Sequence, residues 1–280
     1  MARPRLSCSS PAGVNRALVP LDLQDAEQTL LGPLHARAID AGQPLSLLRD
    51  RMSAEIASRI EFDFRTLLPP GRTAVVRTQI FDTVARAFMS DHPTATVVDV
   101  GSGLNTRFER IDNGTVRWFD VDQPRVAALR RRLLRVSGRR MHVAGSILED
   151  GWLELVATTP GPHCFLFEAV LGYLPCPEVR PLLERIARRF TGATILFDVH
   201  PRWSVDRDGD LHMSAKSSAP TLFTKTIPAA IDEWSIGARI TDTIPFLGHS
   251  PCKRRAGRFT LQPQNARAGQ PRMVIQLRAT

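Results

Sequence analysis

A chain of 280 residues, 43% of them hydrophobic, can bury the core of one large domain with a substantial appendage. No apolar run approaches the roughly 20 residues that cross a bilayer, and the basic start Met1-Ala2-Arg3-Pro4-Arg5 is not followed by the apolar stretch of a secretory signal, so a cytoplasmic protein without a membrane partner is expected. The formal net charge of +9 is nearly all arginine and scattered along the chain, which argues against a nucleic-acid partner and suits an acidic substrate, and the widely spaced Cys8, Cys164, Cys176 and Cys252 read as free thiols rather than a zinc or disulfide framework.

Residues 1–20, rich in Pro, Ser and Arg, read as a flexible tail. Helical spacing then begins: Leu30, Leu31, Leu34, Ala38 and Ile39, next Leu45, Leu47, Leu48, Met52 and Ile56, and finally Val76, Ile80, Val84 and Phe88 within Ala74 to Met89. Residues 21–92 are therefore expected to form a helical cap. After Pro93 the period changes. Strands are expected at Thr96 to Val100, Val116 to Val121, Arg140 to Val143, Cys164 to Glu168 and Thr194 to Val199, with final strands at Arg239 to Thr243 and Arg272 to Leu277. Between the first two lies only a short stretch turning at Asn113-Gly114. Helices are expected at Pro124 to Arg135, with Arg130-Arg131-Arg132 on its solvated face, at Leu148 to Ala157 and at Glu178 to Phe190. Strands alternating with helices imply an α/β fold with a mostly parallel sheet covered on both faces, spanning 93–280, with about 200–235 as a lid insertion.

In such a sheet ligands bind beyond the carboxyl ends of the strands. Gly101 and Gly103 stand there, after the first strand, and let the backbone turn sharply and approach a ligand. About twenty residues on, Asp120 and Asp122 end the second strand, where a carboxylate can accept both ribose hydroxyls. A dinucleotide loop wants a third glycine, but Leu104, Asn105, Thr106 and Arg107 follow Gly103. Asp99 adds negative charge at the loop, which suits a cofactor with a sulfonium and an ammonium better than a pyrophosphate. The loop thus favours S-adenosyl-L-methionine over a nicotinamide dinucleotide.

The run VVDVGSGLNTRFERIDNGTVRWFDVDQPRVAALRRRLL (97–134) resembles the leucine carboxyl methyltransferase family, in particular its bacterial branch of polyketide carboxyl O-methyltransferases. LLGPLHARAID, AVVRTQIFD, FLFEAVLGYLP and ILFDVHPRW match further family blocks in order, so the resemblance covers most of residues 25–205. It implies a class I methyltransferase: a Rossmann-like, mostly parallel sheet with an N-terminal helical cap, using S-adenosyl-L-methionine. It also implies that Arg77, with Arg37 as a second candidate, pairs with the methionyl carboxylate. By the same resemblance Asp122 or Asp120 holds the ribose, Ser146 and Ile147 border the adenine, and Glu168 lies beside the amino group. Asn105 departs from the family's Asp, and Gly172 stands where a bulkier residue is common before Tyr173.

A carboxylate nucleophile is ionised at neutral pH and needs no general base. The resemblance therefore implies O-methylation of a carboxylate on a small polyketide-like or aromatic acceptor. His200 is a candidate base if the acceptor is instead a phenolic hydroxyl, and Tyr173 a candidate acceptor contact. The Asn105 departure leaves open a non-catalytic relative that only binds the cofactor. The oligomeric state is not legible.

Overall fold

Every residue of Thr96–Val100 is buried, the mark of a strand covered on both faces. This strand, β1, lies in a seven-stranded sheet of the computed structural model, which describes residues 18–24, 27–67, 72–199, 203–205, 211–213, 227–246, 253–255, 258–260 and 272–280. The others in chain order are β2 (Arg117–Asp122), β3 (Arg140–Ala144), β4 (His163–Phe167) and β5 (Thr194–Asp198), then β6 (Trp203–Val205) and β7 (Leu211–Met213) as a small ribbon. β8 (Ala238–Phe246), the ribbon of β9 (Lys253–Arg255) and β10 (Arg258–Thr260), and β11 (Arg272–Ala279) complete the set. The large sheet runs β3-β2-β1-β4-β5-β11-β8, with β1 to β5 parallel and β11 antiparallel to both its neighbours. The α/β class and mostly parallel sheet are as expected. Strand order reverses between β1 and β4, so their connections diverge and open a crevice at the carboxyl edge.

The helices are α1 (Leu31–Ala41), α2 (Arg51–Arg59), α3 (Thr73–Asp91), α4 (Arg107–Ile111), α5 (Pro124–Leu133), α6 (Gly151–Ala157), α7 (Cys176–Arg189) and α8 (Ile227–Glu233). None among the described residues is long and apolar enough to cross a membrane. Alternate strand residues face opposite layers. Val98, Phe165 and Phe167 pack with Trp152 of α6, Ile186 of α7 and Ile231 of α8. Val97, Cys164 and Leu166 pack with Val76, Ile80, Val84 and Phe88 of α3. The stripe expected for a cap helix thus buries against the sheet itself. α1 and α2 share a separate core with α5 through Leu34, Ile56 and Leu129.

Three local expectations are corrected. The helical spacing from Leu45 to Ile56 yields a helix only from Arg51, because the Asp40 carboxylate takes the N–H groups of Leu47 and Leu48 and the Ser46 hydroxyl, and Asp50 then caps α2 through Ser53 N. The link between β1 and β2 is more than a turn, since α4 sits in it. Arg130 is not on a solvated face but fully buried. Cys164 and Cys176 are free thiols; Cys8, Cys252, His200 and most of 200–235 lie outside the described residues.

Because α3 is a layer of the sheet core, Ile80→Ala is expected to cost about 2–5 kcal/mol of global stability. Urea unfolding followed by near-UV and far-UV signals would show one shifted transition; loss of the α3 signal ahead of the sheet would contradict this.

Candidate active site

The loop after β1 is shaped by its neighbours. Gly101 and Gly103 have φ of 63° and 50°. A Cβ on Gly101 would lie 2.5 Å from Val170 Cγ2, so glycine is required there for conformation and for contact with the turn after β4. Gly101 N donates to Val121 O (2.7 Å) and Gly103 N to Asp122 Oδ2 (2.6 Å). Asp122 also accepts from Gln123 N (2.8 Å), at the entrance to α5.

Beside the loop lies a buried ionic network centred on Arg107, the first residue of α4. Its Nε donates to Asp82 of α3 (2.9 Å), its Nη1 to Asp99 of β1 (2.7 Å), and its Nη2 to Glu168 at the end of β4. One turn on, Arg110 joins Asp82 to Asp50 (both 2.8 Å). Arg77 of α3 bridges Glu168 and Asp198, each at 3.3 Å. Asp198 Oδ1 in turn accepts Ala169 N (2.5 Å) and so fixes the turn after β4. Glu168 also accepts from Thr78 Oγ1 (2.6 Å) and Asn105 Nδ2 (3.1 Å). Asn105 Oδ1 accepts from Arg110 Nη2 (3.0 Å), so this departure from the family ties Glu168 to the network.

Burial and pairing set the charges. Burial pushes Glu168 up, but Arg107 and Arg77 outweigh it and bring the carboxyl down to about 2. Burial lifts Asp99 to about 6 despite Arg107, with Asp120 and Glu168 adding repulsion. Arg37 is pulled down to about 10 by burial, offset in part by Asp50 at 3.4 Å. Its Nη2 donates to Leu104 O (2.8 Å) and its Nε to Ser53 Oγ (3.2 Å).

These groups wall a cleft of about 360 Å³ at the switch point. Asp122, Val126, Ser146, Ile147 and Leu148 line its β2–β3 side; Arg37, Arg77, Asp99, Asn105 and Glu168 line the side toward β4. Glu27, Leu30 and Pro33 close it from the N-terminal segment, and Val170 and Tyr173 stand after β4. The sequence-derived Arg37, Arg77, Asp99, Gly101, Gly103, Asp122, Ser146, Ile147, Glu168 and Tyr173 all come together here. Asp120 does not. It is buried away from the cleft, paired with Arg140 (2.7 Å) and Arg130 (2.8 Å), with His142 Nε2 at 3.3 Å, and the two guanidinium groups, helped by the imidazole, hold it well below the ordinary carboxylate range against the push of burial. Sequence reasoning missed Arg107, Asp82 and Asp198. A signal for Asp198 was present: like Glu168, it is a carboxylate that follows an apolar strand run, Ile195-Leu196-Phe197.

The leucine carboxyl methyltransferase family matches residues 35–187, more than half of the chain. The chain belongs to that family. It is 34% identical over 188 residues to the tetracenomycin polyketide synthesis O-methyltransferase TcmP of Streptomyces glaucescens, covering 65% of this chain and 69% of that protein. It is 33% identical over 186 residues to the S-adenosyl-L-methionine-dependent methyltransferase dpfgK of Gibberella zeae, covering 60% and 62%. This is an S-adenosyl-L-methionine-dependent methyltransferase. The cleft fits that cofactor, which carries a net positive charge. Asp50, Asp82, Asp99, Glu168 and Asp198 face four guanidinium groups, those of Arg37, Arg77, Arg107 and Arg110, leaving one carboxylate of this network in excess, and Asp122 on the cleft wall adds further negative charge.

Removing Arg107 leaves three buried carboxylates short of a cation, and Arg107→Met is expected to lose about 3–5 kcal/mol at neutral pH. The sign with pH follows from Glu168. Its folded value of about 2, against an ordinary 4.5, contributes stability above pH 4.5 that is lost as pH falls toward 2. Asp99, raised from 3.8 to about 6, has the opposite sign: its contribution favours the fold at low pH and is lost as pH rises through 6. Without Arg107 the carboxylates protonate more readily, so the deficit of the variant should shrink on acidification. Urea midpoints across the carboxylate range test this; a pH-independent deficit would contradict it.

Proposed function

We propose that this enzyme methylates the carboxylate of a small polyketide-like or aromatic acceptor. The observation that carries the proposal is that the carboxylates lining the cleft are already engaged, Asp99 and Glu168 by Arg107 and Asp122 by the Gly103 and Gln123 amides, so they serve as a frame rather than as a base. A carboxylate acceptor needs none, being already ionised. The polyketide relative TcmP supports the acceptor class.

In this reading Asp122 accepts the ribose hydroxyls while its other contacts keep the loop and α5 in register. Ser146 and Ile147 border the adenine. Arg37, whose guanidinium is incompletely neutralised, and Arg77 face the methionyl carboxylate, for which the guanidinium fork is suited. Glu168 already accepts four donors, so it favours the ammonium through its fixed charge rather than through a vacant lone pair. The Gly101 carbonyl, which accepts no hydrogen bond among the described residues, is free to accept one from the ammonium N–H. S-adenosyl-L-methionine supplies an in-line methyl transfer in which the acceptor O–CH₃ bond forms as the S–CH₃ bond breaks, releasing S-adenosylhomocysteine without a proton transfer. The chain's part is alignment and exclusion of water. Tyr173, at the rim and 66% exposed, is placed to touch an acceptor entering over the turn after β4.

Calorimetry with S-adenosylhomocysteine tests the site: Asp122→Ala and Glu168→Gln should each weaken binding roughly ten- to hundredfold. Unchanged affinity in both would remove the cofactor from this cleft. Incubating aromatic carboxylic acids and phenols with methyl-labelled cofactor tests the chemistry. A carboxyl product releases labelled methanol in mild base; a base-stable label carried by phenols alone would establish an ether-forming enzyme instead.

A further inference from the structure

Arg130 of α5 has no exposed surface. Its Nη1 donates to the backbone carbonyls of Gly103 (2.6 Å) and Asn105 (3.0 Å) and reaches that of Ser102 (3.4 Å), while its Nη2 lies 2.8 Å from Asp120 Oδ1. Asp120 is itself held by Arg140 Nε (2.7 Å) and Trp118 Nε1 (3.1 Å), so the guanidinium is anchored to β2. From the other side Asp122 takes Gly103 N–H and Arg37 takes Leu104 O. Gly103 is thereby gripped at both polar backbone atoms. Of the five carbonyls from Gly101 to Asn105, that of Gly101 is the one without a hydrogen bond among the described residues.

We infer that Arg130 is a positioning residue for cofactor binding, a buried clamp that sets the glycine loop before the ligand arrives. This rests on the reading that S-adenosyl-L-methionine occupies the cleft. A loop with two glycines in the left-handed region has much conformational freedom to lose, and a charge-assisted grip on its carbonyls removes that freedom in the free enzyme, so ordering no longer weakens binding. The clamp also turns the carbonyls of Ser102, Gly103 and Asn105 toward α5 and leaves the Gly101 carbonyl to the ligand. Asp120, which the sequence pattern offered as a ribose contact, thereby acts through Arg130. A lysine cannot substitute, because one ammonium lacks the planar fork that reaches the carbonyls and Asp120 together.

Hydrogen exchange on the ligand-free protein and calorimetry with S-adenosylhomocysteine, for wild type, Arg130→Lys and Arg130→Met, test the clamp. In wild type without ligand, the Gly101, Ser102 and Gly103 amides should be protected to the level of β1. In Arg130→Lys that protection should fall in the loop but not in β1 or β4, and S-adenosylhomocysteine should bind more weakly by on the order of tenfold. A purely structural role would lower protection throughout the sheet and leave affinity unchanged well below the melting temperature. Free exchange of the loop amides in ligand-free wild type overturns the clamp even where neither variant folds, as does a lysine variant with full loop protection and wild-type affinity. Absence of binding by wild type would count against the cofactor reading, while the exchange measurement still decides the clamp.

Discussion

One buried guanidinium, that of Arg107, ties together the elements from which the cleft is made. It reaches Asp82 on α3, Asp99 on β1 and Glu168 at the end of β4, so a helix from one layer and the two strands flanking the switch point are fixed to the same cation. Desolvating this many charges is costly, and an apolar replacement of similar volume often serves stability as well or better. The network is better understood as specification of a site. It holds Glu168 ionised against burial, leaves Asp99 raised to about 6, and gathers a small excess of negative charge beside the cleft.

The fold supplies the place and the local sequence supplies the shape. Strand order reverses between β1 and β4, and the two turns leaving those strands pack on each other through Gly101 and Val170. Asp198 on β5 fixes the backbone after β4 through Ala169 N, and Asp122 on β2 fixes the loop through Gly103 N. Four adjacent strands thus contribute one carboxylate each to the carboxyl edge, Asp122, Asp99, Glu168 and Asp198, and each serves as an acceptor that holds a backbone or guanidinium group in position. Such pre-organisation is what a transfer reaction governed by alignment demands.

Much of this was legible in the amino-acid sequence. Period-two and continuous apolar runs located the seven strands of the main sheet, and the glycines with Asp122 pointed to the edge where the cleft lies. The errors share a cause. Helical spacing at Leu45, Leu47 and Leu48 was overridden by a side chain, Asp40, that satisfies the same backbone groups in a turn. Arg130 and Asp120 were misread because a charge is assigned to solvent or to a ligand by default, and each instead neutralises the other out of contact with both. Arg107 was invisible for the same reason: its partners lie 25, 8 and 61 positions away, and pairing of that kind has no local signature. His200, the candidate base, and most of the expected lid segment at about 200–235 lie outside the described residues.

The central claim is that the Arg107 network and the clamped glycine loop form a ready-made cofactor cradle at the β1–β4 switch point. A crystal structure with S-adenosylhomocysteine tests it most directly. The expected result has the ribose on Asp122, the adenine against Ile147 and the amino group at the Gly101 carbonyl, with Arg107 still bound to Asp82, Asp99 and Glu168. Adenosine bound elsewhere, or an Arg107 that leaves its carboxylates to admit the ligand, would contradict it.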